Sequence, residues 1–143
     1  MQETHSIFKA VATARPFRGT VLACLYTGLS LPTACSPMSR IPAPKVGSPI
    51  EDLVSRLDAV LAHNQAVHDG AIMIGRHTPE TPYRITGWSY RLFPQSVVAN
   101  TLPNRGSAFH SALSMSLEPQ VDAMYLVTGG KAVCFTAGIA SDV

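Results

Sequence analysis

The chain has 143 residues, of which 46% are hydrophobic and 14% are charged, and this length and composition are typical of one globular domain. Its formal net charge is only +2, and the basic residues are scattered along the chain. Because proteins that bind duplex nucleic acid concentrate lysine and arginine on one face, this charge argues against nucleic acid as a partner.

The N-terminal part of the chain predicts a helix followed by a strand. Apolar residues recur at helical spacing over residues 5–14, and Pro16 ends the helix because the residue before a proline is pushed out of the α region. The apolar run over residues 21–26 is typical of a fully buried strand. We therefore divide the chain into an N-terminal helical extension, residues 1–16, and a domain, residues 17–143.

The same region also imitates a bacterial lipoprotein signal, because basic residues precede an apolar stretch and Cys35 follows it. Against this, Pro32 stands close to the cleavage site that such a signal needs, and the stretch is too short to cross a membrane. The cysteines fit no metal-ligand spacing, so we expect free thiols in a reducing compartment. We predict a cytoplasmic protein without a membrane partner, and an exported lipoprotein is the alternative.

The middle of the chain predicts a long connection and then a helix. Residues 31–49 carry five prolines among serine and glycine, which is typical of an irregular surface segment. A helix is expected over residues 48–64, where apolar side chains recur at 3-4-7 spacing. Ser48 and Glu51 are placed for a capping box, and Pro49 suits the first helical position.

The remaining elements are mainly strands. In order we predict strand 70–74, strand 84–90, loop 100–106, helix 107–117, strand 121–127 and strand 131–136. Gly129 and Gly130 between the last two strands predict a hairpin, since glycine readily adopts the positive φ angles of a type I′ turn. Strands mixed with helices predict an α/β fold in which a mixed central β-sheet is flanked by helices.

The most distinctive short motif is His68-Asp69-Gly70-Ala71, at the entrance to a predicted strand. An aspartate in this position can hold a metal ion, while a glycine lets the backbone approach a phosphate. Asp-Gly is also a common turn pair, so a simple turn is the alternative interpretation.

A second motif, Asn104-Arg105-Gly106-Ser107, stands directly before a predicted helix. Gly-Ser at a helix start leaves backbone N–H groups available for an anion, and Arg105 could add charge-assisted hydrogen bonds. A helix that is merely capped is the alternative.

Two weaker candidates accompany these motifs. His110 lies one turn into the helix, where a lone histidine is more often a surface residue than a catalyst. Thr86, Trp88 and Tyr90 alternate along a strand, which predicts that they share one face. That face could stack on a base, although an aromatic strand face more often belongs to the core.

In their order and spacing these motifs resemble the diadenylate cyclase domain, the catalytic domain of the DNA-integrity scanning protein and of membrane-bound cyclic di-AMP synthases. The resemblance covers roughly residues 17–140. Residues 18–20 are similar to the family's Thr-Gly-Ala turn, residues 68–71 to its His-Asp-Gly-Ala motif, and residues 90–94 to its Tyr-Leu-Pro stretch. Residues 106–110 are similar to its Gly-Thr-Arg-His-Arg motif, residues 111–116 to its Ala-Ala-Leu-Gly-Leu-Ser stretch, and residues 122–127 to its Asp-Ala strand.

The departures from the family pattern are equally informative. Ala108 and His110 stand where the family has the two arginines that grip the ATP phosphates, and Phe109 replaces the histidine between them. The family's Ser-Glu-Glu stretch is replaced around residues 128–131. Of the groups that serve the family as metal ligands or as the general base, only Asp69 remains.

The resemblance implies a nucleotide-binding or cyclic-dinucleotide-binding sensor or regulatory domain that is catalytically degenerate. Phosphoryl transfer depends on metal ions and cationic donors, and each missing group could lower the rate by a factor on the order of 10²–10³. Asp69 is the candidate ligand for Mg²⁺ or Mn²⁺ bound together with the nucleotide. The predicted nucleotide-binding residues are His68, Asp69, Gly70, Ala71, Trp88, Arg105, Gly106, Ser107, His110 and Thr128.

Two other functions stay open at the level of the sequence. One is an active diadenylate cyclase that makes cyclic di-AMP from two ATP molecules, using Asp69, His110, Arg105 and a divalent ion. The other is a structural module without a ligand. The family's arrangement implies a homodimer, and an effector protein could supply the output. The nucleotide hypothesis requires that the turn at residue 69 and the helix start at residue 106 line one cleft.

Overall fold

The computed structural model describes residues 2–14, 19–95 and 105–143. Three features of the sequence analysis lie outside these ranges: the predicted helix end at Pro16, residue 18 of the predicted turn, and residues 100–104 of the predicted loop. The elements are, in chain order, α1 (Gln2–Ala14), β1 (Val21–Thr27), β2 (Cys35–Pro37), α2 (Leu53–His63), β3 (Ala71–Arg76), β4 (Arg84–Leu92), α3 (Ser107–Met115), β5 (Val121–Thr128), β6 (Lys131–Thr136) and β7 (Ile139–Asp142), with short 3₁₀ turns at Ile50–Asp52 and Gln65–His68.

The strands of the described residues form one mixed sheet in the order β2-β4-β3-β1-β5-β6-β7. β1 and β3 are parallel, and every other neighbouring pair is antiparallel. The predicted α/β fold with a mixed sheet and flanking helices is confirmed.

Helices cover both faces of this sheet. On the first face, α1 and α2 pack on residues such as Ala23 and Leu25 of β1. On the second face, α3 packs on the alternate residues, including Cys24 and Tyr26. β1 is therefore buried from both sides, which explains why its sequence is a continuous apolar run.

The predicted N-terminal helix is part of the packed structure. Phe8 is fully buried and its ring stacks on Tyr125 of β5, with 4.0 Å between the ring centroids. The hydroxyl of the same tyrosine is hydrogen-bonded to Thr4 (2.8 Å) and His5 (2.7 Å). α1 therefore contributes to the core of the sheet, while the proposed boundary at residue 16 stays a prediction.

The segment that imitates a lipoprotein signal contains β1, the central strand of the sheet. Among the residues the structure describes, none of the helices has both the length and the apolar character needed to cross a membrane. Cys24, Cys35 and Cys134 are free thiols, as predicted. Burial raises the pKa of Cys24 and, to a smaller extent, that of Cys35, which keeps both thiols protonated.

The predicted capping box before α2 is wrong. The backbone carbonyl of Ser48 accepts a hydrogen bond from the N–H of Ile85 (2.8 Å), so the chain is still paired with β4 at this point. A 3₁₀ turn, Ile50–Asp52, intervenes, and α2 begins at Leu53 without a side-chain cap. Because this segment pairs with β4, α2 begins about one turn later in the chain than predicted.

The prediction that Thr86, Trp88 and Tyr90 share one face is also wrong. The register of β4 against β3 shifts twice, between the pairs Ala71–Tyr90, Met73–Gly87 and Ile74–Ile85. Each shift inserts one unpaired residue and breaks the alternation of side chains. As a result Trp88 packs into the core of the first face, whereas Tyr90 packs on the second face.

Candidate functional site

An open cavity of about 210 Å³ lies on the second face, between the start of β3 and the start of α3. We call it the α3 cavity. Its lining residues are Leu22, Met38, Gly70, Tyr90, Arg91, Leu92, Ser107, Ala108 and Ser111. The structure brings Gly70 of the Asp-Gly turn and Ser107 at the start of α3 to one cavity, whereas the predicted Asp69 and Gly106 are not among its lining residues.

Gly70 forms the closest approach between this turn and β4. Its φ angle is +83°, and a Cβ atom there would lie 2.7 Å from the carbonyl oxygen of Tyr90 and 2.6 Å from Cε of Met38. Any other residue would therefore clash and be strained. The glycine keeps the wall of the cavity as bare backbone.

Asp69 lies beside this wall and faces solvent. Its side chain is 60% exposed, and its Oδ1 is 3.2 Å from Nε2 of His68. Within the described residues, histidine, cysteine and acidic side chains form no cluster of three that could hold a metal ion. Since Mg²⁺ is often held by one or two carboxylates together with substrate phosphates, Asp69 fits a divalent ion only when a nucleotide supplies further ligands.

The opposite wall is the first turn of α3. Gly106 stands at the N-cap and provides no side chain to satisfy the N–H groups of that turn. Ser107 and Ser111 lie one helical turn apart, and both line the cavity. Within the described residues no side chain caps this turn, so its N–H groups and the two hydroxyls give this wall hydrogen-bond donors that suit an anion.

The residues that replace the family's Arg-His-Arg triplet point in different directions. Ala108 lines the α3 cavity. Phe109 is buried in the second-face core and meets the ring of Phe135 edge-on, with 5.0 Å between centroids. His110 is half-buried outside the cavity lining, and the guanidinium of Arg105 lies 4.8 Å from the ring centroid of Phe109. None of these four side chains brings a cation into the cavity.

Three other predicted residues also lie away from the cavity lining. Trp88 is buried on the first face, where its Nε1 donates to the backbone carbonyl of Lys45 (3.1 Å). Ala71 is fully buried as the first residue of β3. Thr128 ends β5 and borders a small cleft beside α1.

Sequence reasoning missed Arg91 as part of the cavity, and it considered Tyr90 only as one of three residues on a strand face that could stack on a base. Arg91 is exposed at its rim and is the one arginine among the described residues that line it. Burial raises the pKa of Tyr90, so its phenol stays neutral. The signal was present in the Tyr-Leu-Pro-like stretch, but only the pairing of β4 with β3 places that stretch beside Gly70.

A second polar group lies at the opposite end of the central strands, where β1 and β3 end and β5 begins. We call it the Asp122 cluster: Thr27, Arg76, Tyr83 and Asp122. Oδ2 of Asp122 accepts hydrogen bonds from the hydroxyls of Thr27 (2.6 Å) and Tyr83 (2.5 Å). The guanidinium of Arg76 is 3.7 Å from the same oxygen and 4.4 Å from the ring centroid of Tyr83. These contacts join the ends of β1 and β3 to the start of β5.

Comparison with known proteins supports the fold and no more. No family model and no curated protein sequence matches the chain. Among solved structures, a double mutant of DacA from Staphylococcus aureus has a TM-score of 0.60 at 16% identity, over 99% of this chain and 83% of that one. A hypothetical membrane spanning protein from Bacillus cereus has a TM-score of 0.57 at 15% identity, over 99% of this chain and 61% of that one. This chain therefore spans about three fifths of the Bacillus cereus chain.

Proposed function

We propose that this chain is a nucleotide-binding sensor or regulatory domain on a diadenylate cyclase-like fold, with the α3 cavity as its site. The observation that carries the proposal is that the backbone at Gly70 and the donor-rich start of α3 form two walls of one cavity. The likeness to DacA, a diadenylate cyclase, supports the choice of ligand class. The ligand is a nucleotide or a cyclic dinucleotide.

In this proposal the phosphate end of the ligand enters the cavity. The N–H groups of the first turn of α3, the hydroxyls of Ser107 and Ser111, and the guanidinium of Arg91 are the donors at hand. A volume of about 210 Å³ is smaller than the roughly 300–1,000 Å³ of most ligand pockets, so the base extends beyond it. Asp69 at the rim could share a Mg²⁺ or Mn²⁺ ion with the phosphates.

We further propose that the domain does not catalyse cyclisation. The cavity holds Ala108 where the family has an arginine, and Arg105 is stacked on Phe109 rather than aimed at the cavity. Transfer of a phosphoryl group needs positive charge to neutralise the charge that develops on its oxygens. The domain would then report nucleotide levels to an effector protein or to a second copy of itself. Its free thiols support a cytoplasmic location.

A matched pair of substitutions tests the binding site. Ala108→Asp places a negative charge in the cavity, whereas Ala108→Asn has nearly the same size and no charge. An aspartate in the first turn of a helix favours folding, so a lost signal would report binding rather than instability. We expect titration calorimetry with ATP and with cyclic di-AMP to show an affinity about tenfold lower for the aspartate variant.

Equal affinities for the two Ala108 variants would place the ligand elsewhere. The absence of heat with either ligand at millimolar concentration would reject nucleotide binding altogether.

A direct assay separates the binding module from an active cyclase. The protein is incubated with ATP and Mg²⁺ or Mn²⁺, and cyclic di-AMP is measured by chromatography. We expect no product. Product that disappears in Asp69→Asn would instead establish the active enzyme, with Asp69 as its metal ligand or base.

A further inference from the structure

A second cavity, of about 290 Å³, lies between α2 and the loop that follows β2. We call it the α2 cavity. Most of its wall is apolar and comes from Pro42 and Pro44 of the loop and from Ala59 and Val60 of the helix. It borders the first-face core, so the sheet separates it from the α3 cavity.

The loop that covers this cavity is fixed at two points. Nε of Arg40 donates to the carbonyl of Ala66 (3.2 Å), and Nε1 of Trp88 donates to the carbonyl of Lys45 (3.1 Å). Two prolines lie between these points and restrict the backbone further. The cavity is therefore built into the fold and needs no movement of the loop to exist.

The charge of the lining is one-sided. Lys45, Arg56 and His63 line the cavity, and none of its described lining residues is acidic. Within the described part of the chain, Nε of Arg56 is buried and has no hydrogen-bond acceptor. Buried donors are nearly always satisfied, so this atom calls for an acceptor that the described residues do not supply.

We propose that the α2 cavity binds a small organic carboxylate. The apolar body of the ligand packs against the proline, alanine and valine wall, and its carboxylate accepts hydrogen bonds from Arg56 and lies close to Lys45. A guanidinium matches a carboxylate because its N–H groups form two parallel bonds to the two oxygens. The ligand would satisfy the orphan Nε–H and balance the positive lining. This site does not depend on nucleotide binding.

Three probes separate the parts of this recognition in titration calorimetry. Octanoate has both a carboxylate and an apolar body, 1-octanol has a body of the same length without charge, and inorganic phosphate has charge without a body. We expect octanoate to bind at least about tenfold more tightly than either of the others, since a hydrogen bond to a charged group is worth roughly that factor.

Two variants and one control locate the site. Arg56→Gln should weaken octanoate by about tenfold or more, whereas Lys131→Gln, which removes a charge from the distant β6, should change nothing. Ala59→Leu keeps every cation and fills the cavity with a good helix former, so it should abolish octanoate binding even where Arg56→Gln fails to fold.

Several results would overturn the proposal. Octanoate that does not bind the unmodified protein, 1-octanol or phosphate that binds as well as octanoate, or an affinity for octanoate that survives Ala59→Leu would each reject a carboxylate site here.

Discussion

The two ends of the central strands each carry an aspartate, and the two side chains are held very differently. Asp122 accepts two hydroxyl hydrogen bonds and lies 3.7 Å from the guanidinium of Arg76, with a side chain only 26% exposed. Asp69 is 60% exposed, and its Oδ1 lies 3.2 Å from Nε2 of His68. The hydrogen-bonding capacity of the Asp122 carboxylate is used by the fold, whereas the carboxylate of Asp69 faces solvent.

This difference shows that an aspartate in a family-like motif is not enough to assign a role. Both residues lie in segments that resemble the diadenylate cyclase pattern, yet Asp122 joins β1, β3 and β5, while Asp69 is exposed beside Gly70, which lines the α3 cavity. The number of donors already bound to the carboxylate distinguishes them. Substitutions at each end of the strands make the comparison quantitative.

The largest effect is expected from Asp122→Ala. It removes the acceptor of two hydroxyl groups and the charge beside Arg76, so the free energy of unfolding should fall by about 2–4 kcal/mol in urea denaturation. Asp69→Ala is the matched control and should change it by no more than about 0.5 kcal/mol. Equal losses of unfolding free energy at the two positions would remove the distinction between the two ends of the strands.

Gly70→Ala, at the same end of the strands as Asp69, should have an intermediate effect on stability. The positive φ angle and the 2.7 Å approach to the carbonyl of Tyr90 should cost about 1–3 kcal/mol of unfolding free energy and weaken ATP binding. Gly106→Ala, at the N-cap of α3, has open space around its Cβ and should cost no more than about 1 kcal/mol, the difference between glycine and alanine as N-cap residues. A stable Gly70→Ala protein would show that the turn can move away from β4.

The smallest effect is expected in the pH dependence of stability, through the Asp122 cluster. Burial, and then the hydrogen bond to Asp122, raise the pKa of Tyr83 above its ordinary value of about 10. A phenol with a raised pKa in the folded state stabilises the fold fully below pH about 10, and this contribution is lost as the pH rises toward the folded-state pKa. The free energy of unfolding should therefore decrease above pH about 10, and less steeply in Tyr83→Phe.

Urea midpoints measured between about pH 9 and pH 11 would check this. Burial also raises the pKa of Tyr125, so the difference between the two proteins is the quantity to compare. Parallel curves would mean that Tyr83 titrates alike in the folded and unfolded chains.

The sequence predicted the elements whose pattern comes from burial or from turn chemistry. β1 and β3 are covered on both faces and therefore appear as apolar runs. The hairpin between β5 and β6 was predicted from Gly129 and Gly130, whose φ angles are +59° and +75°. Such elements carry their signal within a few residues.

The edge strands could not be predicted in this way. β2 has three residues and ends in Pro37, and all four residues of β7 are exposed, so neither shows an apolar pattern. The two register shifts in β4 were equally invisible, because they arise from pairing with β3. Arg91 was missed at the site for the same reason, since its place beside Gly70 depends on that pairing.

The position of β1 has a consequence for how the protein is made. Its parallel partner and its antiparallel partner, β3 and β5, lie far downstream, and Val21 pairs with Val127. On the ribosome this apolar strand is made before β3 and β5, and it can pair with β5 only after the residues between the two strands have been synthesised. Contacts between such distant segments slow folding. Chains released prematurely would expose this strand to aggregation or to capture by chaperones.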